Sequence, residues 1–107
     1  MLVELDVFSG RENPRWELDE PAAGAIRRLV SGLALATDAP PDPPGLGYRG
    51  FVLHDATGRW RAYGGYVTRP GAVLADPERS VERLLLERLP AELEELRARV
   101  ARELERD

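Results

Sequence analysis

Two carboxylates, Glu4 and Asp6, alternate with Val3, Leu5 and Val7 in the opening run "LVELDVF". That alternation places both on one strand face, about 7 Å apart. Carboxylates so spaced can trade a proton as acid and base, or hold a hard cation through oxygen. The single histidine, His54, stands beside Asp55 and has the side-chain type best suited to a general base near neutrality. One reading is therefore a small stand-alone enzyme or small-ligand protein built on Glu4, Asp6, His54 and arginines. The plainer reading is a solvated strand face. No GxSxG, DxDxDG or ExxH spacing occurs to give a nucleophile or a metal its partners. No catalytic set and no metal site is expected.

"SGRENPRW", residues 9 to 16, offers different chemistry. Asn13 before Pro14 is biased toward extended backbone, and its amide can close an Asx-type turn. Trp16 has a large apolar area to bury. Around it, Arg11, Arg15 and the later Arg49 supply guanidinium forks, which with an aromatic ring suit a carboxylate or an acidic peptide. If the strands pair so that Tyr48 and Arg49 lie beside the corner, then Arg11, Asn13, Arg15, Trp16, Tyr48 and Arg49 form a candidate surface for a peptide or partner. "GLGYRG" at 45–50 is glycine-rich but precedes a strand, so it lacks the helix N-terminus a phosphate loop needs.

The elements that must hold these residues are legible in part. A strand is expected over 2–8. Ile26, Leu29, Val30 and Leu33 predict an amphipathic helix over 20–35. "TDAPPDPPGLG" (37–47) reads as a stiff, polyproline-like surface connection. "YRGFVLHDATGRWRAYGGYV" (48–67) predicts a hairpin. A three-residue loop would pair Phe51 with Tyr63, while a two-residue loop at Thr57–Gly58 would pair Phe51 with Gly64. Gly50, Gly64 and Gly65 predict a close approach to the sheet, most simply by a helix. "AVL" (72–74) predicts a short edge strand. Asp76-Pro77-Glu78 predicts a helix start, with Val81, Leu84, Leu85 and Leu89 facing the core. After Pro90, a last helix over 90–105 carries a thin stripe of Leu93, Leu96, Val100 and Leu104. That stripe fits a groove of its own body or a second copy, giving a homodimer. The order β-α-β-β-(β)-α-α predicts a single α+β domain over 1–107. Its sheet would be antiparallel, with three to four strands and helices on one face, and the last helix either docked or extending from the body.

Composition narrows the function classes. The chain has 107 residues, 43% of them apolar and 32% charged, which fits one folded domain rather than a disordered or membrane-spanning chain. It contains no cysteine, which excludes disulfides, thiolate chemistry and Cys-bearing zinc sites. All 15 basic residues are arginine, so no Schiff-base or P-loop lysine exists. A net charge of −4 argues against nucleic acid as partner. "MLVELDVF" carries charges within its apolar run and is no signal peptide. A cytoplasmic protein without cofactor or membrane partner is expected.

"DVFSGRENPRW" resembles the "VFSGRPNPxW" opening of small bacterial and fungal proteins of about this length, with Glu12 where those chains usually carry proline. "LGYRGFVL" is similar to their second block, so the resemblance covers about the first two-thirds of the chain. Proteins of this type resemble the accessory subunit of radical-SAM spliceases, which excise a tyramine unit from ribosomal precursor peptides. The resemblance implies a non-catalytic protein that binds a precursor peptide or supports the maturase. The iron–sulfur chemistry would then belong to the partner.

Overall fold

The computed structural model describes residues 1–105. Its elements run β1 (Leu2–Leu5), β2 (Arg15–Glu17), α1 (Glu20–Ser31), β3 (Ala34–Leu35), β4 (Phe51–Asp55), β5 (Gly58–Tyr63), β6 (Tyr66–Arg69), β7 (Ala72–Ala75), α2 (Ser80–Glu87), a 3-10 turn (Ala91–Leu93) and α3 (Glu94–Leu104). All seven strands join one sheet in the order β2-β1-β4-β5-β6-β7-β3, and every pairing is antiparallel. The α+β class holds, but a sheet of three to four strands is overturned. Three strands are extra. β2 with three residues and β3 with two are too short to show a period of two, and β6 splits off at the Gly64–Gly65 turn from what read as the hairpin's second strand.

β2 is the most consequential of these. Val3 pairs with Trp16, Leu5 N–H donates to Pro14 O and Leu18 N–H to Met1 O, so the Asn-Pro corner is the loop of a β1–β2 hairpin. Pro14 lacks an N–H, which an edge strand tolerates. At the other edge, helix α1 stops at Ser31 instead of running to 35. Gly32 and Leu33 donate to Leu29 and Val30 carbonyls in a tightened last turn, and Ala34–Leu35 then pair with Ala75 and Leu74. β7 is thereby covered rather than an edge.

Neither expected register of the central hairpin is adopted. Phe51 pairs with Ala62, Leu53 with Trp60 and Asp55 with Gly58, leaving Ala56–Thr57 as the loop. Asp55 Oδ1 fixes that turn by accepting from Thr57 N (2.8 Å) and Oγ1 (2.6 Å). One residue of slip reverses which side chains face the core. In the register formed, Leu5, Phe51, Ala62, Val67 and Leu74 line up across five strands. They share one core with Ile26 and Val30 of α1, Val81 and Leu85 of α2, and Val100 and Leu104 of α3. The helices therefore cover that face. The leucine stripe of the last helix is spent inside the chain: Val100 and Leu104 are buried, and Leu93 and Leu96 pack against the same core.

Gly64 and Gly65, at φ +65° and +88°, make the two-residue turn between β5 and β6. The start of helix α2 does come up to Gly65, through Asp76, Arg79 and Glu82, but what approaches Gly64 is not a helix. A Cβ on Gly64 would meet Pro41 Cγ at 2.7 Å, so the proline-rich segment crosses the turn as a strap. Helix α2 also starts later than expected. Arg79 sits at φ 56°, ψ 37°, a left-handed conformation that stops any helix running from Pro77 and costs about 1–2 kcal/mol in a residue with a Cβ. Asp76 still caps, reaching forward to accept from Ser80 N (3.0 Å) and Val81 N (2.9 Å).

Candidate functional site

Cross-strand pairing puts Arg15, Glu4, Val52, Arg61 and Thr68 in one row on the face away from the helices. Asp6 joins this face next to Gly50, whose carbonyl accepts from Asp6 N at 3.0 Å. The charges there answer one another. Asp6 Oδ1 accepts from Arg49 Nε (3.0 Å) and Asn13 Nδ2 (3.1 Å), and Oδ2 accepts from Arg61 Nη1 (2.8 Å). Burial works against the ionised form, but the hydrogen bonds and charges of Arg61 and Arg49 outweigh it and hold Asp6 below its ordinary value. A carboxylate so stabilised is a poor base and a poorer acid.

Asn13 is the hub of the corner. Its Oδ1 accepts from Val7 N (3.0 Å) and Phe8 N (2.8 Å), while Nδ2 donates to Glu4 Oε2 and Asp6 Oδ1. Arg49 is wholly engaged, its Nη1 on Ser9 Oγ and Gly45 O and its Nη2 on Phe8 O. Arg15 pairs with Glu4 Oε1 at 3.3 Å, and Arg11 lies 3.8 Å over the Phe8 ring. His54 Nε2 is buried without a hydrogen bond, 3.8 Å from the same Glu4 oxygen. Asn13, Arg15 and Arg49 thus meet, though around carboxylates of the chain itself. Trp16 does not join them. Opposite Val3, it turns to the helix-covered side and meets Phe51 edge-on at 6.4 Å. The corner is an interlocked brace.

Tyr48, the last residue of the expected set, goes elsewhere. It is buried beside Phe51 and Tyr63, and its hydroxyl donates to Glu82 Oε2 at 2.5 Å. Glu82, 1% exposed, also accepts from Gly65 N (3.3 Å) and from Arg79 through Nε (3.0 Å) and Nη2 (2.8 Å). A buried carboxylate persists only when its lone pairs are met in this way. Burial, then the charge and hydrogen bond of Glu82, push the Tyr48 hydroxyl far above its ordinary value.

Tyr48 and Arg79 of this triad line an open groove of about 750 Å³, with Glu82 buried out of its lining. Tyr63, Tyr66 and the Gly64–Gly65 turn line one side, Pro41 and Asp38 of the strap another, and Arg79 and Glu103 the helical end. Tyr66 OH donates to Asp38 at 2.7 Å, and Ser9 Oγ to Gly45 O at 3.1 Å, so the strap is pinned at both ends. Arg79 is the only described residue other than glycine with positive φ, and such strain gathers at functional sites. Nothing in the sequence singles out Arg79 or Glu82, since "ERSVERL" reads as the start of an amphipathic helix whose core face is Val81 and Leu84. Tyr48 is expected beside the Asn-Pro corner and the glycine pair under a helix, so neither expectation points to this groove. Among the described residues no three His, Asp or Glu side chains converge on a metal position, and no helix is long and apolar enough to cross a membrane.

Comparisons of the chain with models of protein families, with curated proteins and with solved structures find no match. The groove and the brace are therefore interpreted from their own geometry.

Proposed function

We propose that this chain is a non-catalytic accessory protein that holds a peptide for a partner enzyme, the partner being a radical-SAM maturase of ribosomal precursor peptides. The tyrosine groove carries the peptide-holding part. Three tyrosines, Pro41 of the strap and a glycine turn line an open surface of mixed apolar and polar character. Aromatic rings supply contact area at low entropic cost, while the Tyr48 and Tyr66 hydroxyl protons are already given to Glu82 and Asp38. The choice of partner rests on the resemblance of "DVFSGRENPRW" and "LGYRGFVL" alone. The carboxylates and arginines of the brace are committed to one another, which favours scaffolding over acid–base work at Glu4, Asp6 and His54.

Isothermal titration of the full chain tests this, using any short precursor-like peptide and any radical-SAM protein that the genes adjoining its own encode. Binding of either at about 100 μM or tighter is the expected result. Silence of both at that concentration removes the reading.

A further inference from the structure

A second cavity of about 650 Å³ lies at the far ends of β5 and β6 from the tyrosine groove. The last turns of α1 bring Arg27, Val30 and Ser31 to it, and the β4–β5 and β6–β7 turns bring Asp55, Thr57 and Pro70. Trp60 and Arg69 complete the wall. The sequence suggested guanidinium groups around a tryptophan at Trp16. The fold builds that arrangement here instead.

The partners of each charge decide what the cavity can take. The Arg69 guanidinium stands 6.0 Å from the centre of the Trp60 ring, and among the described residues no carboxylate pairs with it. Arg27 reaches Glu20 only at 3.7 Å, with both side chains well exposed, a pairing that solvent screens heavily. Asp55 opposes an anion, but its Oδ1 is already committed to the Thr57 N–H and hydroxyl. Glu20 and Asp55, whose carboxyl feels the Arg27 charge, balance the two guanidinium groups overall, and among the described residues Arg69 is the one of the two left without a carboxylate partner. The carboxyl end of α1 also disfavours an anion, and Arg28 in its last turn offsets that end. Trp60 and Val30 line the cavity but are 7% and 2% exposed, so the apolar surface they present next to the charge is narrow. The volume falls in the range of small-ligand sites.

We propose that this cavity binds a carboxylate carried on a flat apolar group, with Arg69 and Arg27 holding the carboxylate and Trp60 packing against the ring. Arginine presents a planar fork that matches a carboxylate at two points. The site is independent of the tyrosine groove, so either can fail without the other. The ligand chemistry occurs on free aromatic acids and on acidic peptides, and the test separates these sources.

The full chain labelled with 15N shows two indole cross-peaks, one each for Trp16 and Trp60, assigned with Trp16→Phe. Benzoate, benzyl alcohol and the dipeptide acetyl-Glu-Phe-amide are titrated separately to about 10 mM, the range of fragment-sized ligands. Saturable shifts of the Trp60 indole with benzoate or the dipeptide, at least tenfold weaker with benzyl alcohol, are expected. The tighter of the two acids names the source. Arg69→Gln weakens that binding at least tenfold and Arg27→Gln less, with the remaining cross-peaks of both variants unmoved. Equal response to benzoate and benzyl alcohol, unchanged affinity in Arg69→Gln, or no saturable shift with either acid overturns the proposal.

Discussion

The Tyr48 hydroxyl donates to Glu82 Oε2 at 2.5 Å, joining residues 34 positions apart inside the core. This bond ties the strand-side aromatic cluster to helix α2, and Arg79 closes the charge balance from its strained left-handed backbone. Removing Glu82's charge strands Arg79, so Glu82→Gln is expected to cost about 3–5 kcal/mol of stability. Tyr48→Phe removes one of the carboxylate's four donors and should cost about 1–3 kcal/mol. Urea denaturation at pH 7 measures both.

Alkali gives the same network a spectroscopic signature. Tyr48 is raised chiefly by burial, Tyr63 chiefly by burial, and Tyr66 first by its hydrogen bond to Asp38. For a tyrosine whose folded value is raised, stability is fully present below the unfolded value near 10 and declines as pH climbs above it. Phenolate absorbance in native protein should therefore lag that of urea-unfolded protein, with Tyr48 silent until the chain unfolds. The stability gap between wild type and Tyr48→Phe should shrink above about pH 10.

Acid acts on the brace. The folded value of Asp6 is lowered, because Arg61 and Arg49 outweigh the opposing effect of burial. Its contribution is complete above the unfolded value near 4 and is lost as pH falls through the lowered folded value. Asp6→Asn should cost about 2–3 kcal/mol at pH 7 and much less near pH 2. Chemical denaturation at the two pH values shows whether the difference closes.

Asn13→Asp tests whether the corner needs an amide. The variant keeps the acceptor for Val7 and Phe8 but turns a third carboxylate toward Glu4 and Asp6. Like charges in that position raise one carboxyl's pKa and destabilise the corner. Thermal melts should show a loss at pH 7 that is largely recovered near pH 3.

How much of this was legible follows from element length and from partner distance. The alternation of Val3 and Leu5 and the helical spacing through Ile26 and Val30 mark their own elements and reach the core. But β1 stops at Leu5, and Val7, though buried, lies beyond it, where Asn13 takes the Val7 and Phe8 N–H groups. "RWE" and "AL" are too short for any period, so the two edge strands and the sheet's true width stayed hidden. The central hairpin was legible as a hairpin, but its register turned on the Asp55 side chain taking the Thr57 N–H, which left Ala56–Thr57 as the loop. Arg11, Asn13, Arg15 and Arg49 were singled out for their chemistry, and three of them do meet. Their partners are Glu4 and Asp6 across the hairpin, and only the pairing revealed that the arginines are not free. Glu82 was invisible because two of its partners, Tyr48 and Gly65, come from distant sequence, and its neighbour Arg79 reads as an ordinary helix-surface pair.

The central claim is that the tyrosine groove holds a peptide. Calorimetric titration of the precursor peptide into the full chain and into Tyr63→Ala, with folding of both checked by circular dichroism, tests it most directly. The account predicts binding at about 100 μM or tighter that weakens at least tenfold in Tyr63→Ala. Equal affinity for both proteins, or no heat with either, would contradict it.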